Sequence, residues 1–184
     1  MLFLHGTTIS AACSIIKNGF QNVDTIWTCS DARYTYMVEI GNIYDEMEAV
    51  RFACEAAQIA AAKLNVYDTE IVIFGFDFPS DIAGKYLMPD ISCANMDGCW
   101  CIENNTINKL IQNGEISYSA KIVQNAYIPY LRPFYLMHIS QDFIDLDKDL
   151  KNIYDYLKNA NISDIYDIID VSDLCEFNAL CDFA

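Results

Sequence analysis

The first twenty residues constrain the fold more than any other stretch of the chain. An apolar run, Met1–Leu4, leads through His5-Gly6-Thr7 into a segment whose apolar residues recur at helical spacing: Ile9, Ala12, Cys13 and Ile16. Thr7 or Thr8 is a favoured residue for the start of that helix, and Gly19 is placed for a left-handed cap at its end. The pattern predicts an apolar strand, a polar corner and a short helix that follows at once.

This arrangement, with a helix that closes on Asn18-Gly19-Phe20, resembles the opening of ADP-ribosyltransferases of the His-Tyr-Glu type, which include the diphtheria-toxin-like and PARP-like enzymes. The block Ile26–Tyr34 is similar to the family's second block, where an aromatic residue on a short strand precedes a Ser/Asp element and a helix with a second aromatic residue. The resemblance implies an α+β fold: a split, largely antiparallel β-sheet core with flanking helices and two C-terminal helices.

The resemblance also implies that NAD is the substrate, and it assigns roles around that molecule. The backbone of Gly6 would hold the nicotinamide carboxamide, and His5 would bond a ribose hydroxyl. Trp27 and either Tyr34 or Tyr36 would sandwich the nicotinamide ring. The expected NAD contacts in these two blocks are His5, Gly6, Thr7, Trp27, Tyr34 and Tyr36.

A carboxylate completes the family's site, where it bonds the ribose 2′-hydroxyl and stabilises the positive charge that develops as the glycosidic bond breaks. The corresponding segment is Asn95–Glu103, which puts Asp97 or Gly98 at the glutamate position and Glu103 near the far end. The catalytic candidates are therefore His5, Asp97 and, as second choice for the carboxylate, Glu103.

The resemblance implies a mono-ADP-ribosyltransferase, an effector or toxin that transfers ADP-ribose from NAD to a macromolecular acceptor, in the first place a protein. The alternative is a catalytically inactive module of the same fold that engages a protein partner. Gly98 at the expected glutamate position favours this alternative.

The charge balance bears on the partners. The chain has 26 acidic residues against 11 Lys and Arg, a formal net charge of -15. Such a field repels nucleic acids and anionic membranes and attracts basic proteins. Arg33 and Lys85 are candidates for a local basic site that holds the diphosphate of NAD.

The 184 residues suit one domain. We expect residues 1–184 to form a single ADP-ribosyltransferase-like domain, with an acidic helical extension over 141–184. Polar residues interrupt every apolar run before the roughly 20 residues that a membrane span needs, and the first residues lack the features of a secretory signal peptide. We therefore expect a cytoplasmic protein with no membrane segment.

Further along the chain, local patterns predict alternating helices and strands. The Ala-rich stretch Ile43–Leu64 predicts a buried helix, and the β-branched and aromatic run Thr69–Phe78 predicts a central strand. The remaining expectations, in order, are a long surface connection over Ser80–Met96, a strand over Cys99–Ile102, a helix over Thr106–Gln112, a half-exposed strand over Glu115–Val123, an edge-strand region over Tyr127–Ile139 and two helices after Gln141.

Eight cysteines occur in the chain, several of them within predicted helices or strands. This placement indicates buried thiols in a reducing compartment rather than a disulfide framework. Their spacing matches no zinc-binding pattern, so we expect no metal.

We predict that all eight cysteines are reduced. Alkylation of the denatured protein without reductant, followed by mass spectrometry, should label every one. Two or more unlabelled pairs in protein handled without oxidant would contradict the prediction and indicate an oxidising compartment.

Overall fold

Strands and helices alternate along the described chain. The computed structural model describes residues 1–21, 34–39, 49–51, 53–54, 56–57, 61, 70–89, 99–124, 141–160, 165 and 168, with the backbone alone for 34–39, 99 and 141–148. The elements are β1 (Leu2–Thr8), α1 (Ile9–Asn18), β2 (Tyr34–Glu39), β3 (Glu70–Asp77), α2 (Ser80–Tyr86), β4 (Met88–Pro89), β5 (Cys99–Glu103), α3 (Asn104–Gln112), β6 (Ser117–Gln124) and α4 (Gln141–Asn159). The described residues from 49 to 61 are also helical, as the Ala-rich sequence predicts.

The six described strands form one antiparallel sheet in the order β4-β5-β2-β1-β3-β6. The position of β3 between β1 and β6 confirms the predicted central strand. β1 pairs with β3 over seven positions but with β2 over only two. The sheet thus has two three-stranded halves joined by a short ladder. At this level the expected α+β class, an antiparallel sheet flanked by helices, is confirmed.

Helices cover both faces of the sheet. On the first face Phe3 and Phe74 pack in one core cluster with residues of α1, α2 and α3. On the second face Leu4 and Ile73 pack with helical residues 49–57 and with α4. Successive side chains of a strand point to opposite faces, so a strand covered on both sides is apolar throughout, as β1 and β3 nearly are.

The described parts of the other predicted elements agree with the sequence. The first C-terminal helix, α4, forms as predicted, and its buried residues, among them Leu150, Ile153 and Leu157, make an apolar stripe at helical spacing. α3 begins two residues before its predicted start and ends, as predicted, at Gln112. Of the second C-terminal helix only Ile165 and Ile168 are described, and both are buried on the first face. Tyr127–Ile139 lies outside the described residues.

The predicted surface connection over Ser80–Met96 was wrong in its first part, which forms α2 and the short strand β4. Asp81 in the first turn and Lys85 in the last turn both suit the helix dipole, and Ala83 is buried. Gly84 conceals this pattern in the sequence, because glycine is a poor helix former.

The predicted half-exposed strand, now β6, has exposed and partly buried residues as expected, but core clusters contact both of its faces. Ser119 and Val123 are buried because α4 lies against the second face. The hydroxyl of Ser119 donates a hydrogen bond to the carbonyl of Leu157 at 2.7 Å. A serine whose hydroxyl is hydrogen-bonded beneath a helix cannot be distinguished in the sequence from a serine that faces water.

Cys13, Cys54 and Cys101 are buried within the packed elements. None of the helices in the described ranges is long and apolar enough to span a membrane.

Gly84→Ala should raise the free energy of unfolding by about 0.5–1 kcal/mol, because a Cβ there would meet no atom within 4 Å and alanine favours the helix. Urea unfolding measures the change. Gly114→Ala is the matched control and should destabilise the protein, since Gly114 has a φ of 69°. A Gly84→Ala variant less stable than the parent would contradict the helical assignment.

Candidate functional site

The polar corner after β1 is held at both ends of α1. The Thr8 side chain accepts a hydrogen bond from the backbone N–H of Ala11 at 3.2 Å, so Thr8 rather than Thr7 is the N-cap residue. At the C-terminal end, the N–H of Gly19 bonds to the carbonyl of Ile15 at 2.7 Å. Gly19 has the expected positive φ of 74°, but its ψ of 179° is extended rather than left-handed helical. Local hydrogen bonds therefore fix both ends of α1, including the corner at Thr8.

Beside this corner the described pairing between the two halves of the sheet ends. β1 and β2 pair only at Phe3–Glu39 and Leu4–Val38, and the described ladder ends there. If it continued, Gly6 would lie opposite Tyr36. We call the unpaired stretch of the described ladder, His5–Thr8 of β1 and Tyr34–Met37 of β2, the notch. It brings two residues of the predicted site, Gly6 and Tyr36, to facing register positions.

The hydrogen-bond alternation of β1 shows which backbone groups border the notch. Met1 and Phe78 exchange both bonds of an antiparallel pair, with N···O distances of 2.7 and 2.8 Å. In such a ladder every second residue bonds the same partner strand. The register runs without a break to Thr8, so His5 bonds β3, while the N–H and C=O of Gly6 are directed to the other side, toward the notch.

Gly6 has a steric reason to be glycine as well. A Cβ at this position would overlap the backbone carbonyl oxygen of Ala53 and lie 3.2 Å from its Cα. The helical residues near Ala53 therefore pack directly on the second face of β1. This close approach covers one face of Gly6 and leaves its polar backbone atoms in the plane of the sheet.

His5 is the one residue of β1 that is not fully buried. Its ring packs edge-to-face against Phe20, with 5.6 Å between ring centroids and 76° between planes. Thr7 is buried, with 4% of its surface exposed, which leaves its side chain little access to a ligand. Of the two side chains next to Gly6, His5 is the one that a ligand in the notch can reach.

The strand β5 brings an acidic residue to the same end of the sheet. Glu103, the last residue of β5, pairs with Tyr34, the first residue of β2. The side chain of Glu103 is exposed and accepts a hydrogen bond from the Thr106 hydroxyl at 3.4 Å. β5 begins at Cys99, which pairs with Val38 next to the remaining β1–β2 ladder. Glu103 is thus at the end of β5 that borders the opening.

His5 and Glu103 nevertheless occupy opposite faces of the sheet. His5 contacts Phe20 in the cluster of the first face, and Ile102 belongs to the same cluster. Because side chains alternate along a strand, Glu103 follows Ile102 on the second face. A ligand that touches both side chains has to pass through the notch rather than lie on one face.

The other predicted site residues are distributed as follows. Trp27, Arg33 and Asp97 lie outside the described residues. Tyr34 and Tyr36 were expected on a helix but belong to the strand β2, which agrees with the aromatic and β-branched character of that run.

Lys85 lies at the opposite end of the sheet from the notch. A hydrogen bond and Coulomb attraction from Tyr86 raise the pKa of Lys85, and Glu115 contributes in the same direction. Glu115 precedes β6 at the end where Ser117 pairs with Asp77. Lys85 is therefore not among the groups that border the notch.

Two features near the corner were not predicted. One is a cavity of about 270 Å³ between α1, α3 and the sheet, lined by Ile15, Ile16, Lys17, Asn18, Gly19, Phe20, Phe74, Phe76, Asn108, Ile111, Gln112 and Tyr118. The other is a pair of asparagines on α3, Asn104 and Asn108, that bond the backbone of the segment after α1. Their i, i+4 spacing is the only signal in the sequence, and it is common on solvated helices.

Comparisons of the chain with protein-family models, with curated proteins and with solved structures found no match. Among the described residues, no group of three or more His, Cys, Asp or Glu side chains is placed to hold a metal ion.

Gly6→Ala should lower the free energy of unfolding by about 3 kcal/mol or more, since the added methyl overlaps helix backbone that cannot rotate away. Urea unfolding of Gly6→Ala beside Gly84→Ala, the same change at an open position, measures the steric cost. A Gly6→Ala variant as stable as the parent would contradict the close approach of Ala53.

Proposed function

We propose that this protein is a mono-ADP-ribosyltransferase that cleaves NAD and transfers ADP-ribose to a protein. The observation that carries the proposal is the open ladder position at Gly6. Its N–H and C=O are directed to the notch, and together they form the donor and acceptor pair that complements a primary carboxamide. The nicotinamide carboxamide would bond to Gly6 as a neighbouring strand would.

The side chains around Gly6 suit the rest of the dinucleotide. His5, half-buried beside Gly6, would bond a ribose hydroxyl, as the sequence resemblance implies. Tyr36 faces Gly6 in register and Tyr34 follows toward Glu103, so that either aromatic residue would stack on the nicotinamide ring. Trp27 remains the proposed second ring and Arg33 a proposed diphosphate contact.

We now prefer Glu103 to Asp97 as the carboxylate. Glu103 ends β5 and pairs with Tyr34, the first residue of β2, which places it at the end of β5 next to the notch. A carboxylate close to the ribose 2′-hydroxyl stabilises the charge that develops on the sugar, and it does so most effectively where water is excluded. The Glu103 side chain is exposed, so bound NAD would have to exclude water from it.

The reaction breaks one bond and forms one. The bond between the ribose C1′ and the nicotinamide nitrogen breaks, and its electron pair passes to the ring, which becomes neutral. The oxocarbenium-like sugar is then attacked by a nucleophile of the acceptor, which loses its proton as the new C1′ bond forms. The Gly6 backbone would hold the leaving group, and Glu103 would stabilise the sugar cation.

The acceptor is proposed to be a basic protein surface. The net charge of -15 favours encounter with positively charged partners and disfavours nucleic acids. NAD itself is a small anion, and its local contacts are expected to offset the repulsion.

A second candidate function is a binding module without turnover. The placement of His5 and Glu103 on opposite faces favours it, because a site that cannot bring both side chains to one ribose would bind the carboxamide without cleaving the glycosidic bond. Such a module would engage a protein partner through the notch or its acidic surface.

His5→Ala should weaken NAD binding by roughly 5- to 10-fold, which corresponds to the loss of one hydrogen bond. Titration calorimetry measures the affinity. His138→Ala, which removes the other histidine of the chain, is the control and should bind as the parent does. Equal affinities for the parent and His5→Ala, or no binding by the parent, would overturn the assignment of this site.

Glu103→Gln should reduce NAD consumption by on the order of 100-fold and change NAD affinity by only a few-fold, since the carboxylate acts mainly as charge develops. Release of nicotinamide measures turnover, and Asp97→Asn is the matched comparison. If Asp97→Asn abolishes consumption and Glu103→Gln spares it, the carboxylate assignment is wrong. If the parent consumes no NAD but binds it, the binding module is the function.

A further inference from the structure

The side-chain amide of Asn108 forms two hydrogen bonds with the backbone of Phe20. Asn108 Oδ1 accepts a hydrogen bond from the Phe20 N–H at 2.8 Å, and Asn108 Nδ2 donates one to the Phe20 carbonyl at 2.9 Å. This two-point contact fixes both the position and the orientation of the Phe20 backbone. A single hydrogen bond would leave it free to rotate.

The residues around Phe20 accommodate the Asn108 side chain and add a further hydrogen bond. A Cβ on Gly19 would lie 2.7 Å from Asn108 Oδ1, so glycine is needed there for space as well as for its positive φ. One turn earlier on α3, the buried Asn104 donates a hydrogen bond to the carbonyl of Gln21 at 2.9 Å. The segment Gly19–Gln21 is thus held along its length by α3.

Phe20 connects Asn108 with the candidate site, because its ring contacts His5. Its ring contacts His5 edge-to-face at 5.6 Å and also packs against Phe76 at 5.8 Å. Phe20 lines the cavity of about 270 Å³ as well, so the ring has space to move into if its backbone is released. The hydrogen bonds from Asn108 hold Phe20 against His5 instead.

We propose that Asn108 is a positioning residue for His5, acting through Phe20, and this proposal rests on the proposed role of His5 in NAD binding. Glu103 lies directly before the first residue of α3, the helix that carries Asn108. One helix therefore sets the position of the proposed carboxylate and, through the asparagine and the phenylalanine, the orientation of the imidazole.

Asn108→Leu tests the proposal, because leucine has a similar size and removes both hydrogen bonds. The matched control is Asn105→Leu, which makes the same change at an exposed position of the same helix. The first readout is NMR of the imidazole signals, with His5→Ala assigning the two histidines of the chain. In Asn108→Leu the His5 signals should lose the ring-current displacement caused by Phe20, and in Asn105→Leu they should remain unchanged.

The second readout is the rate of NAD consumption. At NAD concentrations below saturation it should fall by up to about 10-fold in Asn108→Leu, no more than in His5→Ala, since the variant acts by displacing His5, and it should stay at the parental level in Asn105→Leu. If Asn108→Leu does not fold, Asn108→Asp retains the acceptor for the Phe20 N–H, loses the donor to its carbonyl, and should give a smaller change of the same sign in both readouts.

Unchanged His5 signals in a folded Asn108→Leu or Asn108→Asp variant would overturn the positioning role. A displaced His5 with parental NAD consumption would also overturn it. If the parent neither binds nor consumes NAD, the proposed function fails, whereas the NMR readout still decides whether Asn108 orients His5.

Discussion

The contact between Gly6 and the helix backbone at Ala53 is the interaction on which the candidate site depends. A helix can lie this close to a strand only where the strand has no side chain, and any Cβ at Gly6 would overlap the Ala53 carbonyl. The helix covers the second face of β1, and Gly6 is buried with its polar backbone groups lying in the plane of the sheet. Because β2 pairing ends at Leu4, these groups of Gly6 face a position of the described ladder that is left unpaired.

The remainder of the architecture supports this strand. β1 is bound to β3 over its whole length, its first face is packed against α1 and α3, and its end is capped through Thr8. A backbone held on three sides presents fixed donors and acceptors on the fourth. Preorganised groups of this kind bind a ligand without reorganisation and act most strongly where water is excluded. A carboxamide fits an open β-ladder because it carries the same donor and acceptor as a peptide group.

Local features of this structure could be read from the sequence, whereas long-range ones could not. The strand, corner and first helix follow from neighbouring residues, and so do β3, α3 and the apolar stripe of α4. The register between β1 and β2 depends on residues more than thirty positions apart, and the approach of Ala53 to Gly6 depends on the packing of a distant helix. Gly84 conceals α2 in the sequence. Ser119 is buried and hydrogen-bonded beneath α4, but in the sequence it looks like a residue that faces water. The pairing of Glu103 with Tyr34 is likewise a long-range contact that the sequence does not show, and Asp97 lies outside the described residues.

The most direct test of the central claim is NMR of the Gly6 amide during titration with nicotinamide. Labelling with ¹⁵N-glycine leaves seven signals, and the Gly6 signal is assigned by specific labelling of the His5-Gly6 pair. If Gly6 bonds the carboxamide, its amide signal should shift in a saturable manner with nicotinamide and remain in place with pyridine, which has the ring without the carboxamide. A Gly6 signal that is unmoved at saturating nicotinamide and NAD would contradict the account.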